Sequence, residues 1–345
     1  MLADKFNREI NYLRISVTDR CNLRCVYCMP AGGIAHKSHS QILSFEEIYK
    51  IVKAGAGLGI QKVRITGGEP LVRKDLPSLI EKLKTINGLK ELALTTNGIY
   101  LSEYAALLKK CGLDRINISL DSLVPEKFEM ITRGGNLKTV LEGIESAKAC
   151  GLSPLKINVV LLSGFNTEEI PDFVNLTRES PIEVRFIEYM PTGLPDFNLQ
   201  GLDFSYEGLY FGCKEAKSLC SSLGELMPID GLQYQTARVF RMRGFCGTLG
   251  FISPMSAPFC NSCNKLRLTS GGRLRNCLHS SKAVDLKEAL ERGISEEGLA
   301  LLIKEAVALK PKSHNLINPP RGEPASFAAP VDFESKNFSM CQIGG

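Results

Sequence analysis

The stretch Tyr12-Leu-Arg-Ile-Ser-Val-Thr18, running straight into Asp19-Arg-Cys-Asn-Leu-Arg-Cys-Val-Tyr-Cys-Met-Pro30, decides the fold class. Its first half alternates apolar and polar residues with period two, as a strand with one buried face does. Its second half is a polar, cysteine-bearing loop. Ser44 and Glu47 then make a capping box, followed by Phe45, Ile48, Ile51, Val52 and Leu58 at helical spacing. The same order returns downstream. Lys62–Thr66 reads as a strand, and Leu76, Leu79, Ile80 and Leu83 mark the helix behind it. Further strands are expected at Glu91–Thr95, Arg115–Leu120, Leu155–Leu162 and Ile182–Tyr189, with helices over roughly 102–111, 137–150 and 168–179.

About six strand–helix units imply parallel strands joined by right-handed crossovers, too few to close an eight-unit barrel. The expected fold is α/β, an incomplete (β/α)6 barrel with a smaller C-terminal region closing its open side. The polar segments Thr66-Gly-Gly-Glu-Pro70, Thr95-Thr-Asn-Gly98 and Ser119-Leu-Asp121 follow strands, as the Cys loop does. One face of the sheet should collect them. The division expected is 1–190 for the partial barrel, 191–237 for a connecting region, and 238–345 for the C-terminal region. Within the middle part only a helical stretch near Gly208–Leu223 stands out. Beyond it, Val239–Ile252 reads as short antiparallel strands, Val284–Glu291 and Glu296–Leu309 as helices, and the chain from Pro311 as an irregular tail.

With 345 residues, 44% hydrophobic and 23% charged, the chain suits one large domain or a large one with a small one. No apolar run approaches the roughly 18 residues of a membrane span, and the first ten residues carry no apolar signal core. A cytoplasmic location is expected. A net charge of +5 is too mild for a protein that coats nucleic acid. Its distribution is more informative: Arg238, Arg241, Arg243, Lys265, Arg267, Arg273 and Arg275 precede Cys277 with no Asp or Glu among them. A polyanionic ligand suits that stretch.

Twelve Cys beside four His point to metal or iron–sulfur ligation in a reducing compartment. Cys21-x-x-x-Cys25-x-x-Cys28 offers three thiolates, enough for three corners of a 4Fe-4S cube with the fourth iron open. Cys260-x-x-Cys263, followed after thirteen residues by Cys277, has two readings. It suits a second cube, or, with His279, a Cys3His zinc site.

The first spacing, with the aromatic Tyr27 just before the third Cys, resembles the signature of the radical S-adenosylmethionine superfamily. Gly67-Gly-Glu-Pro70 resembles its glycine-rich methionine-binding segment, although a plain turn between strand and helix has the same appearance. Further matches are Leu94-Thr-Thr-Asn-Gly98, Ile116-Asn-Ile-Ser-Leu-Asp121, Arg185-Phe-Ile-Glu-Tyr-Met190, the second Cys set and the terminal Gly344-Gly345. Together they resemble the GTP 3',8-cyclase family over nearly the whole chain, with a gap at 191–237.

That resemblance implies two 4Fe-4S clusters and S-adenosyl-L-methionine as cofactors. It implies conversion of GTP to (8S)-3',8-cyclo-7,8-dihydro-GTP by a 5'-deoxyadenosyl radical, the first step of molybdenum cofactor biosynthesis. Cys21, Cys25 and Cys28 become ligands of a cluster whose open iron chelates S-adenosylmethionine. Cys260, Cys263 and Cys277 become ligands of a cluster whose open iron binds the purine, leaving His279 a bystander. Tyr27, Gly68, Ser119 and Met190 match positions that contact S-adenosylmethionine; Arg14, Arg64, Thr95, Lys156, Lys265 and Arg267 match positions that contact GTP. Lys265 departs from the many relatives with Arg there, keeping the charge and losing the bidentate fork. Gly344 and Gly345 match a tail that threads into the active site and is needed for activity.

The implied partners are GTP, cyclic pyranopterin monophosphate synthase as recipient of the product, and an electron donor such as flavodoxin or ferredoxin. Neither nucleic acid nor membrane is among them, and monomer and homodimer both stay open. The other cysteines, Cys111, Cys150, Cys213, Cys220, Cys246 and Cys341, read as buried small apolar residues, Cys341 lying near the tail. Two rival readings are a radical peptide modifier, which usually carries more C-terminal cysteines, and a zinc-containing nucleic-acid binder. The latter leaves the first Cys loop unexplained and has 7% aromatic residues with no Trp for base stacking.

Overall fold

A computed structural model describes residues 1–190, 206–229, 236–280 and 282–314. In chain order the first part holds β1 (Tyr12–Ser16), α1 (Phe45–Leu58), β2 (Lys62–Thr66), α2 (Leu76–Lys84), β3 (Glu91–Thr96) and α3 (Leu101–Lys110). Then come β4 (Arg115–Ser119), α4 (Pro125–Thr132), α5 (Leu137–Ala149), β5 (Leu155–Leu161), α6 (Ile170–Asn175) and β6 (Glu183–Glu188). The second part holds α7 (Tyr206–Leu209), α8 (Cys213–Leu223), β7 (Leu226–Pro228), β8 (Arg238–Met242) and β9 (Thr248–Ile252). It closes with β10 (Lys265–Leu268), β11 (Arg273–Arg275), β12 (Ala283–Asp285), α9 (Leu286–Glu291) and α10 (Glu296–Ala308).

The helices form where capping and periodicity agree. Ser44 accepts from the Glu47 amide at 3.1 Å, and the Glu47 carboxylate accepts from the Ser44 amide at 2.6 Å. Both bonds satisfy donors that the start of α1 would leave unpaired. The helix stops at Gly59, whose φ of 109° lies in the left-handed region that glycine enters freely. Between these ends Ile48, Ile51 and Val52 are fully buried against the sheet.

Among the described residues the strands form one sheet in the order β12-β11-β10-β1-β2-β3-β4-β5-β6-β9-β8-β7. Strands β1 to β6 are parallel, β10 joins β1 in parallel, and β9 joins β6 in parallel. The array does not close on itself, since β7 and β12 are its ends. Leu13, Ile15, Val63, Ile65, Leu92, Leu94, Ile116, Ile118, Ile157, Val159, Val184 and Phe186 point to the helix layer and are buried. The opposite face carries Arg14, Arg64, Thr95, Asn117, Asn158 and Arg185, which border a cavity. Among the described residues no helix is long and apolar enough to cross a membrane.

Several boundaries differ from expectation. The single helix expected over 168–179 is a short turn at Thr167–Glu169 followed by a six-residue α6, with Pro181 ahead of β6. Helix α4 had no forecast; Pro125 sits in its first turn, where a missing amide costs nothing. The start of the helix expected at Val284 is instead a strand, because Ala283–Asp285 pairs antiparallel with Arg273–Arg275. Cys213 and Cys220 are buried, but Cys111 and Cys150 are only half-buried at helix ends. Cys246 is exposed in the turn between β8 and β9, so it is not a core residue; Cys341 lies outside the described residues.

Candidate active site

Cys21, Cys25 and Cys28 lie in the loop after β1, beyond the C-terminal ends of the parallel strands. The loop is braced from below by Gly67 and Gly68. The Gly68 amide donates to the Thr18 carbonyl at 2.8 Å and the Glu69 amide to the Arg20 carbonyl at 2.8 Å. A Cβ on Gly68 would stand 2.2 Å from the Arg20 carbonyl oxygen and 3.1 Å from the Cys21 nitrogen. The close approach that glycine permits is therefore first of all to the cysteine loop. Cys21 Sγ accepts from the Leu23 amide at 3.4 Å. Burial, then the neighbouring Cys28, Asp121 and Cys21, push the Cys25 thiol well up, so the thiols stand close enough to repel as thiolates. Three such groups need a cation between them.

The second trio stands at the other end of the strands. Cys260 and Cys263 precede β10, whose first residue Lys265 pairs with Tyr12, the first residue of β1. Cys277 follows β11, which runs antiparallel to β10 and so ends at that same edge. Strand β1 has five residues, which at about 3.3 Å each puts about 16 Å between the two edges. Burial raises the Cys263 thiol, but Lys310 and Lys265 outweigh it and leave it below the usual range. Lys310 Nζ donates to the carbonyls of Lys265 at 2.8 Å and Asn276 at 2.6 Å, tying the two cysteine loops together.

One cavity of about 500 Å³ connects the trios. It is lined by all six cysteines and by Arg14, Tyr27, Arg64, Gly68, Thr95, Ser119, Met190, Lys265 and Arg267. Every cysteine and contact residue expected from the sequence is thus gathered there, with three exceptions. Lys156 faces the same side of the sheet but does not line the cavity; its Nζ pairs with Glu183 at 2.5 Å. Burial, with Arg185 nearby, brings its amine down to about 8. Gly344 and Gly345 lie outside the described residues.

The electrostatics are lopsided. Eight Lys and Arg side chains line the cavity against four Asp and Glu, and three of those four are committed to backbone amides. Arg267, Arg14 and Arg64 stand directly opposite one another on β10, β1 and β2. Burial, then Arg267 and Arg64, push the Arg14 guanidinium well down. The Nε atoms of Arg14 and Arg64 have no hydrogen-bond partner among the described residues. Like charges abreast in a row that borders a cavity are unfavourable until an anion joins them.

Sequence reasoning left three acids without a role. Glu69 accepts from the Asn97 amide at 2.7 Å, the Thr96 hydroxyl at 2.7 Å and the Leu71 amide at 3.0 Å, while burial raises its carboxyl to about 7. Asp121 accepts from the Tyr27 hydroxyl and the Val160 amide, holding the Cys loop to β5; burial lifts its carboxyl to about 6. Glu188 at the end of β6 accepts from the amides of Cys213, Met255 and Ser256 at 2.9 to 3.0 Å, anchoring the segment that leads to Cys260. Their only local signal is position, at or just past the C-terminal end of a strand.

The donor chemistry of each trio fits a cube with one open corner. Among the described residues, no three His, Cys, Asp or Glu side chains converge on a single metal ion, either within a trio or with His279. His279 packs instead against His314 at 5.3 Å, and burial brings its imidazole down to about 3.

Residues 15–177 match the radical SAM superfamily model and residues 182–316 the molybdenum cofactor synthesis C model. The chain is 44% identical to a protein of Alkaliphilus oremlandii and 47% identical to one of Clostridium botulinum strain Okra, both named GTP 3',8-cyclase, each match covering 100% of both chains. Among solved structures, Streptococcus suis SuiB bound to S-adenosylmethionine is similar in fold, with TM-score 0.57 and 14% identity over 81% of this chain and 64% of that one. The chain belongs to the GTP 3',8-cyclase family of radical S-adenosylmethionine enzymes.

Proposed function

We propose that the chain converts GTP to (8S)-3',8-cyclo-7,8-dihydro-GTP in molybdenum cofactor biosynthesis, with S-adenosylmethionine consumed to methionine and 5'-deoxyadenosine. The observation that carries this reading is the cavity, which joins two three-cysteine loops across a doubled excess of cations. Cys21, Cys25 and Cys28 hold one 4Fe-4S cluster, and Cys260, Cys263 and Cys277 hold a second. When bound, these clusters supply the electron that breaks the sulfonium bond and a Lewis-acidic iron for the purine.

The residues of the chain supply position and exclusion of water. Arg14, Arg64 and Arg267 take the triphosphate by charge-assisted hydrogen bonds, and Lys265 adds a point charge beside them. Thr95 donates from the neighbouring strand; Lys156 is included on its family match. Tyr27, Gly68, Ser119 and Met190 hold S-adenosylmethionine at the other end. A carbon radical takes the nearest hydrogen, so holding the adenosyl C5' against the ribose C3' selects the atom removed. Cyclisation of C3' onto C8 then needs no side-chain nucleophile; the cyclised radical takes one electron from the reductant and one proton to give the dihydro product. Gly344 and Gly345 are proposed to enter the same cavity. The product passes to cyclic pyranopterin monophosphate synthase, and flavodoxin or ferredoxin supplies electrons.

GTP deuterated at C3', incubated anaerobically with S-adenosylmethionine and reductant, tests the reading. Deuterium is expected in 5'-deoxyadenosine; unlabelled 5'-deoxyadenosine alongside cyclised product overturns it.

A further inference from the structure

Asn117 occupies the middle of β4, directly between Thr95 on β3 and Lys156 on β5 in the ladder register, so the three share one face of the sheet. It lines the cavity and is fully buried. Among the described residues neither its Oδ1 nor its Nδ2 has a hydrogen-bond partner. The Oδ1 of Asn158, which borders the same cavity, is also unpartnered. Buried amides are almost always bonded, because one stripped of water and left unpaired is costly on both its donor and its acceptor side. A leucine has the same branched shape without that cost. An amide unsatisfied at both ends and bordering a cavity is built to meet a ligand there.

We propose that Asn117 is a substrate-binding residue that takes the ribose hydroxyls of the nucleotide, donating from Nδ2 and accepting at Oδ1. This rests on the GTP reading given above. The choice of ligand group follows from the neighbours. The row of Arg267, Arg14 and Arg64 already meets the phosphates, and a phosphate oxygen would leave Oδ1 facing an acceptor. Ser119, two residues further along β4, belongs to the S-adenosylmethionine side. Asn117 therefore lies between the cation row and the position of the adenosyl group, where the ribose must sit for its C3' to react. Each ribose hydroxyl both donates and accepts, which matches both ends of the amide.

Dissociation constants of GTP, 2'-deoxy-GTP and 3'-deoxy-GTP, measured on cluster-loaded protein without S-adenosylmethionine, test the proposal in wild type and Asn117→Leu. Wild type is expected to bind at least one deoxy analogue about tenfold more weakly than GTP, and Asn117→Leu to bind GTP about tenfold more weakly with that discrimination gone. The thermal midpoint of the free variant should equal or exceed that of wild type, since an unpaired polar group has been removed. A midpoint well below wild type would mark a packing role and overturn the proposal. So would a variant that binds GTP as tightly as wild type or keeps its discrimination, or a wild type that does not discriminate. Should the leucine variant fail to load clusters, Asn117→Ser carries the same binding comparison. Wild type that binds no GTP at all strikes the functional reading itself.

Discussion

Arg8 Nη1 donates to the Cys260 carbonyl at 2.7 Å, across 252 residues of sequence. The same guanidinium donates to the carbonyls of Lys312 at 3.0 Å and Pro311 at 2.6 Å, and pairs with the buried Asp4 at 2.6 Å. One side chain thus fixes the second cysteine loop and the chain that leads to the tail. Arg8→Ala leaves three carbonyls unmet and Asp4 buried without a partner, which costs about 3–5 kcal/mol. Its iron content should fall from about eight to about four per chain, the first cluster being retained. Arg8→Lys keeps the charge but not the fork, so it should recover stability better than iron. Urea denaturation and iron analysis check both.

Gly68→Ala should damage the first cluster instead. Its Cβ meets the Arg20 carbonyl carbon at 2.6 Å, and backbone cannot yield as a side chain would. Iron should fall to about four per chain, and S-adenosylmethionine binding should be lost. Gly57→Ala is the control: no atom lies within 4 Å of its Cβ position near the end of α1. That change should stabilise by about 0.5–1 kcal/mol with iron unchanged.

Inorganic tripolyphosphate, which has no base or ribose, should stabilise the protein by filling the guanidinium row. At a hundred times its dissociation constant the gain is about 2.7 kcal/mol, read as a rise in the thermal midpoint. Arg14→Gln removes the central member of the row and should abolish most of that rise. Its own midpoint should not fall, since the change relieves repulsion from Arg267 and Arg64.

Glu69 makes the stability of the free protein depend on pH. Burial raises its folded carboxyl from 4.5 to about 7, three donated hydrogen bonds offsetting only part of that. Between these values the folded state holds the proton and the unfolded state has lost it. Stability is therefore fully present below about 4.5 and falls as pH rises to about 7, by about 3 kcal/mol at 1.36 kcal/mol per unit. Glu69→Gln should remove this fall. Urea titrations of both proteins at pH 5, 6, 7 and 8 check the difference.

The first cysteine loop was legible in the sequence because its three ligands lie within one local segment, and the strands β1 to β6 because each alternates or runs apolar between turn signals. The joining of β9 to β6 and of β10 to β1 was not legible. Pairing between distant segments is set by tertiary fit, and Leu249, Phe251, Leu266 and Leu268 would suit any buried edge. For the same reason the sequence could not place the second trio at the opposite strand ends. Asn117, Glu188 and Arg8 are ordinary polar residues until the fold decides what faces them. Lys156 shows the converse: its match to a contact position is plain, yet here its amine is held by Glu183.

Metal analysis of anaerobically isolated protein tests the two proposed cubes most directly. Wild type should hold about eight irons and no zinc per chain. Changing Cys260, Cys263 and Cys277 together to Ala should leave about four, with S-adenosylmethionine still bound and GTP affinity lost. About four irons with one zinc in wild type, the zinc disappearing in the triple variant, would contradict it.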